Sequence, residues 1–146
     1  MENIRCKEVA YSTEAYQDIV TLRTEVLRKP LGLQFTPEQL AAEKDHIHIG
    51  LYIHNLLAAC LMLVPEADGR IKMKQVAVLP SEQGRGLGAM LVAYAESWAE
   101  EKGFSIMYCH ARAEAVPFYI KMHYRITGEM FEEVTIPHFP MEKKLR

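Results

Sequence analysis

The chain is short of several features that would classify it at a glance. It has three cysteines in 146 residues, Cys6, Cys60 and Cys109, an odd number with no C-x-x-C spacing. There is therefore no disulfide framework to read, and reduced cytoplasmic thiols fit best. Cys60 and Cys109 lie in apolar, strand-like runs where cysteine is usually inert packing. No basic excess exists either: 17 Lys and Arg stand against 19 Asp and Glu, a formal net charge of -2. No nucleic-acid partner is expected on that balance. No apolar run approaches the roughly 18 residues of a membrane span, so no membrane partner is expected. The opening "MENIRCKEVA" lacks the apolar core of a secretory signal, and a cytoplasmic protein is the expectation. Repeats, low-complexity tracts and linkers are missing as well.

What is present is ordinary until residue 84. A composition 49% apolar and 25% charged suits a globular protein, and this length allows one domain, residues 1–146, with a sizeable core. The segment 3–9 alternates as a strand. "STEAYQDIVTLRTEVLRKP" has helical spacing, with Ser12 or Thr13 to cap it and Pro30 to stop it. Thr36, Pro37 and Gln39 form a capping-box signature for a short second helix. Residues 46–80 read as three strands with turns at His54-Asn55 and Asp68-Gly69. A helix over 88–102 follows, closed by Gly103. "SIMYCHAR" is a fifth strand, "EAVPFYIKM" a short helix, and the tail two strands joined by a long loop holding Pro137 and Pro140. The order β-α-α-β-β-β-α-β-α-β-β predicts a mixed α/β sheet of about seven strands with helices on both faces. His46 and His48, two apart on a strand, share one face; no third ligand is spaced to join them, so no metal is expected and a polar sheet face is the better reading.

The stretch "QVAVLPSEQGRGLGAMLVAY", residues 75–94, stands out. Gly84, Gly86 and Gly88 alternate at the mouth of a helix. Glycine loses the most entropy on folding, so three together need a reason. A helix N-terminus offers unpaired N–H groups and partial positive charge, and glycines let an anion approach that backbone; phosphate is the usual guest. Arg85 adds a mobile cation. The G-x-x-x-x-G-K-[ST] loop is not matched, because no Lys-Ser/Thr follows, and the G-x-G-x-x-G dinucleotide fingerprint is not matched either.

"QGRGLG" does match Q/R-x-x-G-x-G/A, and here the chain resembles the GNAT family of N-acetyltransferases. "VAVLP" before the loop, "AVPFYIKMHY" after it and the element order extend the resemblance over essentially the whole chain. The tail "TIPHFPMEKKL", with "LRTEVLR" and "CHARAEA", is also similar to a bacterial subgroup that includes glyphosate N-acetyltransferase-like enzymes.

The resemblance implies a mostly antiparallel twisted sheet and an acetyl-CoA donor. It implies that backbone N–H groups from Gln83 through Gly84, Arg85, Gly86, Leu87 and Gly88 to Ala89 hold the pyrophosphate. It implies that Val76, Ala77 and Val78 pair with the pantetheine arm, and that a splay or bulge there leaves an N–H near Val76 or Ala77 for the thioester oxygen. Tyr119 stands at the general-acid position. His138, in the subgroup's P-H-x-x-M, stands at the base position, with a water chain as the alternative. Arg28, Lys74 and Arg112 match basic positions around the subgroup's acceptor pocket, and Arg23 is a further candidate. Two residues depart from the pattern: His123 replaces a glycine after the short helix, and Arg112 replaces an asparagine that contacts the cofactor. The activity implied is acetyl transfer to a small-molecule amine, one that could carry a carboxylate or phosphonate. A protein or peptide amine, or a CoA-binding module without turnover, are the alternatives. The resemblance is also compatible with a homodimer.

Overall fold

A computed structural model describes residues 3–145. Eight strands are present: β1 (Ile4–Val9), β2 (Ile47–Ile53), β3 (Leu56–Pro65), β4 (Arg70–Val78), β5 (Ile106–Arg112), β6 (Arg125–Ile126), β7 (Phe131–Glu133) and β8 (Ile136–Lys144). Four α-helices accompany them: α1 (Glu14–Arg23), α2 (Pro37–Ala41), α3 (Leu87–Glu101) and α4 (Val116–Lys121). Backbone pairing follows the order β1-β2-β3-β4-β5-β8-β6, with β7 beside β8. The β4–β5 pair, joined through α3, is parallel; β1–β2, β2–β3, β5–β8, β6–β8 and β7–β8 are antiparallel. This is the expected mixed α/β class, on an open and mostly antiparallel sheet of eight strands rather than about seven. The extra strand corrects the reading of the tail. Pro137 and Pro140 lie inside β8, not in a loop. Pro137 falls beyond the last β5 pair, Arg112↔His138. Pro140 falls between the segments paired with β6 and β7. Neither missing N–H interrupts a ladder.

The residues group into two compact units, one holding the chain up to Val64 with Gln75–Ala95, the other Pro65–Lys74 with Glu96 onward.

In the first unit Thr13 caps α1, its hydroxyl accepting from the Tyr16 N–H at 3.2 Å. The helical pattern was expected to continue to Pro30, but after Arg23 the backbone widens into a π-helical turn over Thr24–Arg28 and then tightens into a 3-10 turn over Lys29–Leu31. The Thr24 hydroxyl donates back to the Val20 carbonyl at 2.8 Å, a contact that bends helices. The capping box at Thr36 is complete, with both reciprocal bonds made. His54 and Asn55 are both left-handed, as a two-residue hairpin turn requires. Val9, Tyr16, Ile19, Leu22, Tyr52, Cys60 and Ala77 form one buried cluster, each large side chain contributing about 1.5–3 kcal/mol. Beside it lies a buried polar knot. Arg23 donates to both carboxylate oxygens of Glu43, at 2.8 and 2.6 Å, and the Tyr16 hydroxyl donates to Glu43 Oε1 at 2.8 Å. His48 Nε2 lies 3.1 Å from the Glu43 carbonyl. His48 is thus buried among Tyr11 and Tyr16 rather than on a polar face, and His46 precedes the strand.

In the second unit β5 alternates cleanly. Met107, Cys109 and Ala111 are buried, while Tyr108, His110 and Arg112 share the other face. Burial pushes the thiols of Cys109, and of Cys60 in the first unit, up to about 12. Gly103 ends α3 at φ 94, and the Phe104 N–H donates to the Ala99 carbonyl at 3.0 Å. His123 takes the same left-handed conformation, φ 74, after α4. The Tyr124 N–H then reaches the Tyr119 carbonyl at 2.9 Å.

Two predictions follow from this packing. His123→Gly removes a Cβ from a left-handed position and should stabilise the fold by about 0.5–1 kcal/mol, seen as a higher urea midpoint at unchanged slope. Stability should also fall in two steps as pH drops. Burial holds His48 below its ordinary 6.5. Burial alone would raise Glu43, but the Arg23 hydrogen bonds and charge outweigh it and hold the carboxyl below 4.5. The unfolded chain binds protons before either folded group does. Each contribution is therefore complete above the unfolded value and lost as pH falls through the folded one. Urea midpoints between pH 7.5 and 3.5 should show both steps, and Glu43→Gln should shrink the lower one, leaving the part that Glu133 contributes.

Candidate active site

The glycine loop belongs to the first unit. Gly84 and Gly86 have φ 83 and 80, a conformation that a side chain resists. Nothing lies within 4 Å of a Cβ placed on either, so their outer surface is open. The loop feeds straight into α3, fifteen residues long. The Gln83 side chain ties the loop to β4, its Nε2 donating to the Val78 carbonyl at 3.1 Å. Arg85 is not a loose cation: its guanidinium pairs with Glu82. An open backbone turn with alternate left-handed glycines at the head of a long helix fits a diphosphate.

β4 leads into this loop with a defect. Gln75 has φ 57 in mid-strand, so the strand kinks immediately before Val76. Strand pairing with β5 runs from Arg70↔Ile106 to Met73↔Cys109, and β4 continues to Val78. Ala77 turns its methyl into the core, while Val76 and Val78 are half-buried. A non-glycine residue at this angle is a local strain typical of functional strands.

Arg28 closes the π-helical turn, an element frequent at functional sites. Its guanidinium lies 4.5 Å from the Phe35 ring centroid and donates to the Leu27 carbonyl at 3.4 Å. Arg23 is a different case. It is 1% exposed and bound to Glu43, so the structure makes it a core ion pair and removes it from the acceptor-pocket candidates.

The other sequence-derived residues belong to the second unit. Tyr119, on α4, is 6% exposed, with its ring edge-on to Phe118 at 5.0 Å and Tyr124 at 5.5 Å. Burial, with a smaller effect of Cys109, pushes its phenol well above the ordinary range. His138 is 5% exposed and sits directly across from Arg112 in the β5–β8 register. Paired residues in an antiparallel ladder present their side chains to the same face. His138 Nδ1 lies 2.7 Å from the Ile136 carbonyl. That carbonyl only accepts, so Nδ1 carries a proton, and in the neutral ring Nε2 holds the lone pair. Nε2 in turn lies 3.7 Å from Glu133 Oε2. Lys74 is half-buried on β4, two residues after Lys72 and so on the same face.

Three groups escaped the sequence reading: Lys72, His110 and Glu133. Glu133 Oε1 lies 3.1 Å from His110 Nδ1, and Lys72 Nζ lies 3.2 Å from the same nitrogen. Burial, then the Lys74 charge, holds the Lys72 ammonium below its usual range. Burial would raise Glu133, but the His110 hydrogen bond and the neighbouring cations hold it below. Phe131 stacks on His138 at 6.0 Å and meets His110 edge-on at 4.9 Å. The missing signal was β7 itself. The turn after it is Val134-Thr135, which carries none of the residues that mark a hairpin. Yet both residues are left-handed, φ 53 and 62, and Glu133 pairs with Ile136.

Comparison with known proteins adds to this geometry. Residues 13–124, well over half of the chain, match the acetyltransferase (GNAT) family. The uncharacterized N-acetyltransferase YjcF of Bacillus subtilis (strain 168) is 29% identical over 136 residues, covering 92% of this chain and 96% of that protein. A solved Lactobacillus plantarum structure superposes with a TM-score of 0.85 at 25% identity, covering 99% of both chains. An aminoglycoside 6'-N-acetyltransferase, solved with coenzyme A, shares the fold at a TM-score of 0.79 and 14% identity, covering 97% of each.

The Val134-Thr135 turn yields a direct test of strain. Type I′ turns favour Asn-Gly, and β-branched residues at positive φ are costly. Replacing Val134-Thr135 with Asn-Gly should raise stability by about 1–3 kcal/mol, measured by urea unfolding at constant slope.

Proposed function

The chain belongs to the GNAT family of acetyltransferases, and we propose that it transfers acetyl from acetyl-CoA to a small amine bearing a carboxylate or phosphonate. The observation that carries this reading is the open pair of left-handed glycines, Gly84 and Gly86, at the head of α3. A structurally similar enzyme that was solved with coenzyme A supports the donor.

Acetyl-CoA, when bound, supplies an acetyl thioester open to attack by a neutral amine. The backbone N–H groups of Gln83 to Ala89 bind its diphosphate. Val76 to Val78 pair with its extended arm. The kink at Gln75 would free a Val76 or Ala77 N–H for the thioester oxygen, where charge develops and where a fixed donor has most effect. His138 Nε2, whose lone pair is set by the Nδ1–Ile136 bond, takes the amine's proton. Tyr119 stays protonated at neutral pH because burial disfavours its phenolate, and so has a proton to give the leaving thiolate. Arg112, across the ladder from His138, holds the acid group with Lys74, and Arg28 is the first unit's candidate for the same group. The glyphosate N-acetyltransferase-like subgroup resemblance supports that assignment of the three cations.

The test is thiol release from acetyl-CoA against a panel of small amines, half carrying carboxylates or phosphonates. Turnover confined to the acidic amines is expected. His138→Ala should lower kcat by about 10²–10⁴-fold and Tyr119→Phe by a smaller factor. Gly86→Val should abolish donor binding. Tight acetyl-CoA binding with no turnover on any small amine overturns the reading and favours a peptide amine or a CoA-binding module.

A further inference from the structure

The reaction above leaves one carboxylate without a task. Glu133 Oε1 is held by His110 at 3.1 Å, while Oε2 faces the lone-pair nitrogen of His138 at 3.7 Å. With the His138 ring neutral, both facing atoms are acceptors, and neither can donate to the other. Two acceptors 3.7 Å apart leave room for one donor group bridging them, at about 2.7–3.1 Å from each. The pair is reachable: the Glu133 side chain is 44% exposed, although that of His138 is only 7% exposed. It is also built. The strained Val134-Thr135 turn fixes Glu133 opposite Ile136, and the Phe131 ring stacks on His138.

We infer that Glu133 Oε2 and His138 Nε2 form a clamp for a primary ammonium, so that the acceptor binds in its protonated form. The inference rests on His138 being the base proposed above. Aliphatic amines are mostly protonated near pH 7, which makes the ammonium the abundant form. The carboxylate attracts it and receives one N–H. A second N–H points at Nε2. That N–H bond breaks, its proton passes to Nε2, and its electron pair stays on nitrogen as the nucleophile. The ring becomes imidazolium, with its Nδ1–H still on the Ile136 carbonyl and Glu133 unchanged. When His110 Nδ1 carries a proton it donates to Oε1, which leaves Oε2 as the ammonium's contact.

Binding can be read without turnover. The native chain would be titrated at pH 7 with n-butylammonium chloride while the NMR resonances of the His138 ring are followed, assigned by their loss in His138→Gln. The neutral n-butanol serves as the matched control. A saturable shift with butylammonium, none with butanol, and at least fivefold weaker binding in Glu133→Gln are expected. Glu133→Asp should restore part of the affinity if charge at this position is what matters. Equal binding in native and Glu133→Gln chains overturns the clamp, as does equal response to butanol or no response to butylammonium. Each of those results leaves the acetyl-transfer assay to stand or fall by itself. Failure of that assay alongside Glu133-dependent ammonium binding would instead remove the proposed reaction and keep the cation site.

Discussion

A left-handed backbone at a residue with a Cβ costs about 1–2 kcal/mol, and the candidate site depends on four such residues. Gln75 kinks β4 just before the segment proposed to meet the acetyl donor. His123 closes the turn behind Tyr119. Val134 and Thr135 bring β7 back along β8 and set Glu133 against His138. The left-handed residues of the other hairpins, His54, Asn55 and Asp68, are types that tolerate the conformation. Gln75, Val134 and Thr135 are not such types, and each lies beside residues given a role here. A fold whose net stability is typically about 5–15 kcal/mol can hold several such residues only if packing elsewhere is secure. The buried clusters of both units and the Arg23–Glu43 pair supply that security.

The proposed roles divide by chemistry. Donor recognition falls to main-chain N–H groups, fixed by glycines and by the head of α3. Acceptor recognition falls to side chains on the polar face of the second unit, where Lys72, His110, Glu133 and His138 form a continuous chain of contacts. His110 Nδ1 is shared between a lysine and a carboxylate. It can accept from the first or donate to the second, not both. The face therefore has two internal proton arrangements, and its electrostatics depend on which one prevails.

Much of this was legible in the sequence, for local reasons. Thr36-Pro37-Gln39 names its capping box, Asp68-Gly69 its turn, Gly103 its helix end, and "QGRGLG" its open loop. What was hidden was non-local or contrary to preference. Nothing in "TLRTEVLRKP" marks where the helix widens into a π-helical turn. Pro137 and Pro140 signalled a loop because their tolerance in β8 depends on where the neighbouring strands stop. Val134-Thr135 has strand propensity and not turn chemistry, so β7 vanished, and Glu133 with it. Arg23 was legible as a cation near Arg28, but its partner lies 20 residues away at Glu43.

The two deeply buried cysteines have a consequence for an enzyme that would handle an activated acyl group. Thioesters exchange readily with thiolates, so a protein with a reactive cysteine close to its own donor would acylate itself. With burial raising both thiols to about 12, Cys60 and Cys109 stay protonated at neutral pH. Both are also sealed from incoming reagents. The core thus carries two sulfurs that are chemically silent toward a passing acyl group.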